Sequence, residues 1–200
     1  MRIVKVVIKI FGFSLFIVSS MTANVYAGNV NALFGFGFDF GGDTIDSFQS
    51  GSGDTETIKA NEGIYIYGGV IYNLNEKLEV QTTIGYKFES LNATNGDVRF
   101  DRAPLELLLF TRKDQHRFGG GVTYHTGVEY ECELTGSCNF TVDLDDALGF
   151  IIEYDYLLSS KNFKYDFSLG VRYTNIEYEV DPFNFTIDAN GLGINTQIFF

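Results

Sequence analysis

The chain has 200 residues, room for one domain, with 45% hydrophobic and 16% aromatic residues and a formal net charge of −12. That apolar content excludes a disordered chain, and without clustered Lys and Arg no nucleic-acid partner is expected. Twenty Phe, 12 Tyr and 22 Gly beside only 2 Pro favour strands, because aromatic side chains suit a pleated surface.

Arg2, Lys5 and Lys9 open the chain, followed by an apolar run at 11–18, then Ser19 and Ser20. Val25-Tyr26-Ala27 sets small residues where a signal peptidase would cut before Gly28. Residues 1–27 are therefore expected to be a cleaved secretory signal, since a membrane anchor needs about 20 continuous apolar residues. Removing the three basic residues takes the formal charge from −12 to −15. Export also places the two cysteines in an oxidising compartment.

From Gly28 onward the hydrophobic period is two. Val30, Ala32, Phe34, Phe36, Phe38 and Phe40 alternate with Asn31, Gly35, Gly37 and Asp39. Residues 62–74 set Ile64, Ile66, Val70, Tyr72 and Leu74 against Tyr65, Tyr67, Gly69 and Asn73. Residues 78–88 set Val80, Thr82, Ile84 and Tyr86 against Glu79, Gln81, Thr83 and Lys87. In 98–112 the apolar face is Ala103, Leu105, Leu107 and Leu109, opposite Glu106 and Arg112. Val98 and Phe100 are out of phase with that face, and a bulge near Pro104, which has no N–H to donate, is expected to explain the shift. Residues 117–130 set Phe118, Val122, Tyr124, Val128 and Tyr130 against Arg117, Thr123, His125 and Glu129. Residues 148–158 set Phe150, Ile152, Tyr154, Tyr156 and Leu158 against Glu153 and Asp155. Residues 163–173 set Phe163, Tyr165, Phe167, Leu169, Val171 and Tyr173 against Lys164, Asp166, Ser168 and Arg172. The last strand carries Leu192, Ile194, Thr196, Ile198 and Phe200 on one face.

These are eight strands of about ten residues or more, enough to cross a bilayer at a tilt. Tight turns near 75–76, 113–116 and 159–162 alternate with polar connections at 41–61, 91–97, 131–146 and 179–189. A soluble barrel would place the apolar face inside and leave a solvent face unusually rich in glycine. Alternating short and long connections, with Tyr and Phe near strand ends, favour the inverted arrangement. The expected fold is all-β: an eight-stranded antiparallel transmembrane β-barrel, an up-and-down meander filling residues 28–200.

The mature chain resembles the small eight-stranded outer-membrane barrels of the OmpA-transmembrane-domain, OmpX and opacity-protein type. The most specific element is the terminal strand, with Phe200 last and Ile198 two residues before it. The resemblance implies that this end is the signal read by the barrel-assembly machinery. It also implies a cell outer membrane location, lipid as a partner, periplasmic termini and extracellular long loops.

Eight strands leave an interior just wide enough for side chains. Charges placed there must pair, so Glu79, Lys87, Glu106, Arg112, Arg117, Glu129, Glu153, Asp155, Lys164, Asp166 and Arg172 are expected to form a lumen network that plugs the barrel. The expected role is structural or surface-interacting, through acidic loops that attract a surface ligand or divalent cations. The alternative is a small porin-like channel through the same charges. A lipid-modifying enzyme would need a Ser nucleophile beside a His on the lipid face. The lipid A deacylase family places that Ser two residues after its His, where this chain has Gly127 after His125, so no catalytic residue and no cofactor are expected. Cys132 and Cys138 are expected to form a disulfide in the third long loop. Metal ligation needs more ligands than Asp143, Asp145 and Asp146 supply, and no His accompanies the cysteines.

Overall fold

The computed structural model describes residues 29–49, 55–93, 95–158, 166–180 and 185–200. The expected signal peptide, the 159–162 turn and Lys164 lie outside the described residues. Thirteen strands are described: β1 Val30–Gly41, β2 Thr44–Gln49, β3 Thr55–Lys59, β4 Gly63–Asn73, β5 Leu78–Ala93, β6 Gly96–Lys113, β7 His116–Leu134, β8 Cys138–Asp143, β9 Ala147–Leu158, β10 Asp166–Asn175, β11 Glu177–Val180, β12 Phe185–Asp188 and β13 Gly191–Phe199.

Eight of them are staves. The order β6-β5-β4-β1-β13-β10-β9-β7, with β6 also paired to β7, closes an antiparallel up-and-down barrel. Closure brings the last stave back onto the first, Leu33 opposite Phe199 and Gly41 opposite Gly191, and the Phe200 amide donates to the Ala32 carbonyl at 2.9 Å. A closed ladder leaves no open edge, which lipid cannot solvate. Both ends of the described chain and the turns at 74–77 and 114–115 share one rim.

The apolar faces point outward. Phe34, Phe36, Phe38, Phe40, Leu105, Leu107, Leu109, Phe150, Ile152, Leu169, Val171, Leu192 and Ile194 are exposed, while Asp39, Glu79, Gln81, Lys87, Glu106, Arg117, Glu153, Asp155 and Arg172 are buried. Water cannot stabilise such a belt, and hydrocarbon can. Lumen glycines make the room: a Cβ at Gly35 would overlap the Tyr67 ring, and one at Gly119 the Phe110 ring.

At the opposite rim the long connections fold. The expected polar loops are instead β-structure: β2 pairs β3, β11 pairs β12, and β5, β6 and β7 run on past the barrel to join β8. They enclose a second apolar core, built from Ile58, Val98, Phe100, Val128, Tyr130, Cys132, Leu134, Leu144, Ile176, Tyr178 and Val180. The cap is a folded layer on top of the barrel staves.

One bulge joins the two layers. Asp101 pairs with Glu129 but Ala103 with Thr126, so the extra residue lies in β7, at Thr126–Val128, and not in β6 beside Pro104. Gly127 takes the left-handed conformation there, φ 60°, which costs glycine nothing. β6 keeps its even-numbered residues inward throughout, from Val98 and Phe100 to Glu106 and Leu108. The apolar phase shift in β6 thus marks a change of environment and no change of backbone phase. Conversely, β7 inverts at Gly127, which carries Val128 and Tyr130 into the cap core rather than onto the lipid face. Ala103 is likewise buried instead of lipid-facing.

Candidate functional site

Alternation along the staves sends every second side chain into the lumen, where charges sort into three tiers. Nearest the rim that carries the chain ends, Arg117 from β7 donates Nε to Glu79 at 2.8 Å, Nη1 to Asp155 at 2.6 Å and Nη2 to Gln81 at 3.1 Å. Its guanidinium lies 4.0 Å from the Phe110 ring centroid. Arg112 sits at the mouth, half-exposed, 3.6 Å from Glu79. In the middle tier Arg172 from β10 pairs with Glu106, which also accepts from Tyr65 at 2.9 Å and Thr83 at 3.0 Å. Glu153 accepts from Asn195 and Gln197, both at 2.9 Å. In the third tier Lys87 pairs with Asp39 and donates to Asn61 at 2.8 Å. Arg102, enclosed at the level of the bulge, donates to the Glu62 carbonyl at 2.6 Å.

Each tier links separate staves, from neighbours such as β7 and β9 to β10 and β6, which lie three staves apart. Arg117 alone connects β7 to β5 and β9, and Arg172 connects β10 to β6. Pairing at this depth offsets the desolvation cost of each ion, and Arg117 engages all three of its guanidinium nitrogens, whereas Nε of Arg172 and of Arg102 has no hydrogen-bond partner among the described residues. The arrangement fills the interior with fixed, mutually neutralising side chains.

Of the residues expected inside, the structure brings Glu79, Lys87, Glu106, Arg117, Glu153, Asp155 and Arg172 into these tiers, with Arg112 at the mouth. Asp166 is exposed and lines the mouth. Glu129 lies elsewhere: beyond the bulge it is half-buried in the cap wall, opposite Asp143. Burial, Asp143 and Glu131 raise its pKa above the usual carboxylate value. Asp39, Tyr65, Asn61 and Arg102 belong to the tiers and were not singled out from the sequence. Asp39 was legible, as a lone acid on the glycine-lined face of 30–40. Arg102 was hidden by the change of environment along β6.

Cys132 and Cys138 are disulfide-bonded across the β7–β8 hairpin, and Cys132 is enclosed in the cap core. His125 is buried at the junction of barrel and cap, its Nδ1 2.6 Å from the Tyr178 hydroxyl. His116 is exposed at the opposite rim, 2.8 Å from the Tyr154 hydroxyl. Asp146 accepts from Tyr124 at 2.8 Å, and no group of three or more His, Cys, Asp or Glu side chains suited to a metal ion occurs among the described residues.

This geometry is matched among solved structures. The chain is similar to the outer membrane protein AlkL, solved by solid-state NMR in DMPC bilayers, with a TM-score of 0.50 and 15% identity over 86% of this chain and 90% of that one. The likeness is one of fold. The outer membrane protein OprG from Pseudomonas aeruginosa aligns at a TM-score of 0.46 and 15% identity, over 86% of this chain and 96% of that one. No family model matches the sequence. No curated protein matches it either.

Proposed function

We propose that this chain is an outer-membrane protein whose plugged barrel anchors a folded external cap, and that the cap carries the function as a surface for interaction. The chain ends and short turns then face the periplasm, and the long hairpins face outward. The barrel fold shared with AlkL, the lipid-facing belt and the export signal read from residues 1–27 support this location. A final strand ending Ile198, Phe199, Phe200 suits recognition by the barrel-assembly machinery, as in the OmpA, OmpX and opacity-protein group. The acidic cap, with Asp43, Asp46, Glu131, Asp143 and Glu179, favours cationic ligands or lipopolysaccharide bridged by divalent ions.

The observation that carries the reading is the filled lumen. In the tier nearest the mouth, Arg117 of β7 holds Asp155 on the adjacent β9 and, past β6, Glu79 and Gln81 on β5, and all four side chains are buried. A conducting path would need water where these side chains stand. No catalytic step is assigned, since His125 is engaged with Tyr178 inside the molecule and position 127 is glycine.

Single-channel recording in planar bilayers tests the reading. The barrel should give no discrete conductance steps at neutral pH and moderate voltage. Reproducible steps from purified, folded protein would favour the small-channel alternative and overturn the anchor.

A further inference from the structure

Beyond the lipid-facing belt, a groove of about 570 Å³ opens in the cap between β8, the β11–β12 hairpin and the start of β2. We propose that this groove binds a small cationic amphiphile, an organic ammonium ion bearing an apolar tail. The proposal rests on the cap being the functional surface, and it names the ligand class.

The volume is that of a small-molecule site. Nine of its thirteen lining residues are apolar or aromatic, with Phe100 and Leu144 contributing buried core side chains to the lining. At the mouth stand Phe140 and Phe185, 49% and 50% exposed. Both lie on cap hairpins, where the neighbouring medium is water, so two large aromatic faces meet solvent at the edge of one groove. The Phe140 and Tyr130 rings lie 6.1 Å apart and tilted by 46°, an open corner of two π faces.

Charge decides the headgroup. Asp43 and Asp46 line the groove, and no Lys, Arg or His does. Asp46 is held by the Tyr130 hydroxyl, which donates to Oδ2 at 2.6 Å, and by the Ser47 amide, which donates to Oδ1 at 2.7 Å. Burial and this bond push Tyr130 ionisation up, so the phenol remains a neutral donor. A fixed carboxylate beside aromatic faces is the environment that attracts an ammonium ion, and an anionic headgroup meets repulsion there. The apolar walls receive the tail.

Full-length mature protein in phosphatidylcholine nanodiscs should be titrated calorimetrically with hexyltrimethylammonium, hexanol and hexanoate, with empty nanodiscs subtracted. One saturable site for the ammonium is expected, with hexanoate at least about tenfold weaker. Asp46→Asn should weaken the ammonium about tenfold while leaving hexanol unchanged, and Phe140→Ala should weaken both. Should Asp46→Asn fail to fold, Asp43→Asn and the exposed Phe185→Ala test the same charge and aromatic components. Binding of hexanoate as tight as the ammonium, insensitivity to the carboxylate variants, or the absence of saturable heat would overturn the proposal. A conductance record on the same preparation separates the two readings: a silent lumen with no ammonium site rejects only the ligand, and a conducting lumen rejects the anchor.

Discussion

Arg117→Met removes the cation of the tier nearest the mouth while keeping an apolar chain against the Phe110 ring that the guanidinium covers at 4.0 Å. The loss is therefore one of charge pairing. Glu79 keeps Arg112 at 3.6 Å and lies near the open mouth, whereas buried Asp155 loses its guanidinium partner and keeps weaker contacts such as the Gln197 amide at 3.4 Å. Breaking a buried pair by deleting one partner costs about 3–5 kcal/mol, and with one carboxylate stranded the lower end, about 3 kcal/mol, applies. At a urea slope of about 2–3 kcal/mol per molar, the unfolding midpoint should fall by roughly 1–1.5 M. The assay is urea unfolding in phosphatidylcholine vesicles, followed by circular dichroism and by gel mobility with and without boiling. Arg117→Met/Asp155→Asn removes the stranded charge as well, so it should regain more than half of the lost midpoint. A midpoint of the single variant within about 0.2 M of the parent, or a double variant weakened further, would refute a lumen held by charge pairing.

Gly127→Ala meets nothing within 4 Å but must hold φ 60°, so it should cost about 1–2 kcal/mol in the same unfolding assay, with Gly127→Asn milder. Phe200→Ala, at the closure of the first and last staves, should lower the heat-modifiable, membrane-inserted fraction under native expression; an unchanged yield would contradict it. Replacing Cys132 and Cys138 by Ser should leave insertion intact, because the bridge spans only the β7–β8 hairpin and contributes less than the roughly 3 kcal/mol expected of a 15-residue loop. It should nonetheless speed proteolysis within 131–146, since Cys132 is part of the cap core.

The staves were legible because lipid outside and a charged, glycine-lined interior impose a strict period of two. Leu105, Leu107 and Leu109 against Glu106 read as strand and face at once. The cap was not legible for a physical reason. Above the membrane the apolar side of a strand turns inward, so alternation alone no longer identifies the face. In β7 the bulge at Gly127 and this change of medium cancel: Val122, Tyr124, Val128 and Tyr130 keep even numbers while crossing from lipid to cap core. In β6 no bulge intervenes, so the change of medium appears as a false shift between Phe100 and Leu105. The hairpin strands β11 and β12 have four residues each, and their apolar positions are too few to show a period. The lumen partners came through where a charge sat between lipid-facing neighbours, as with Glu153 and Arg172. They were lost where register, not composition, sets the contact, as with Arg102 and the Glu62 carbonyl.

Adjacent residues in one stave offer the most direct measurement of an inverted barrel. Leu107 and Ile152 are 52% and 65% exposed, whereas their neighbours Leu108 and Ile151 are each 1% exposed. With methyl-labelled protein in nanodiscs containing lipid that carries a nitroxide on its acyl chain, NMR should show the Leu107 and Ile152 methyl signals strongly broadened and those of Leu108 and Ile151 preserved. Equal broadening within each pair, or the reverse pattern, would contradict a barrel with lipid outside and a filled interior.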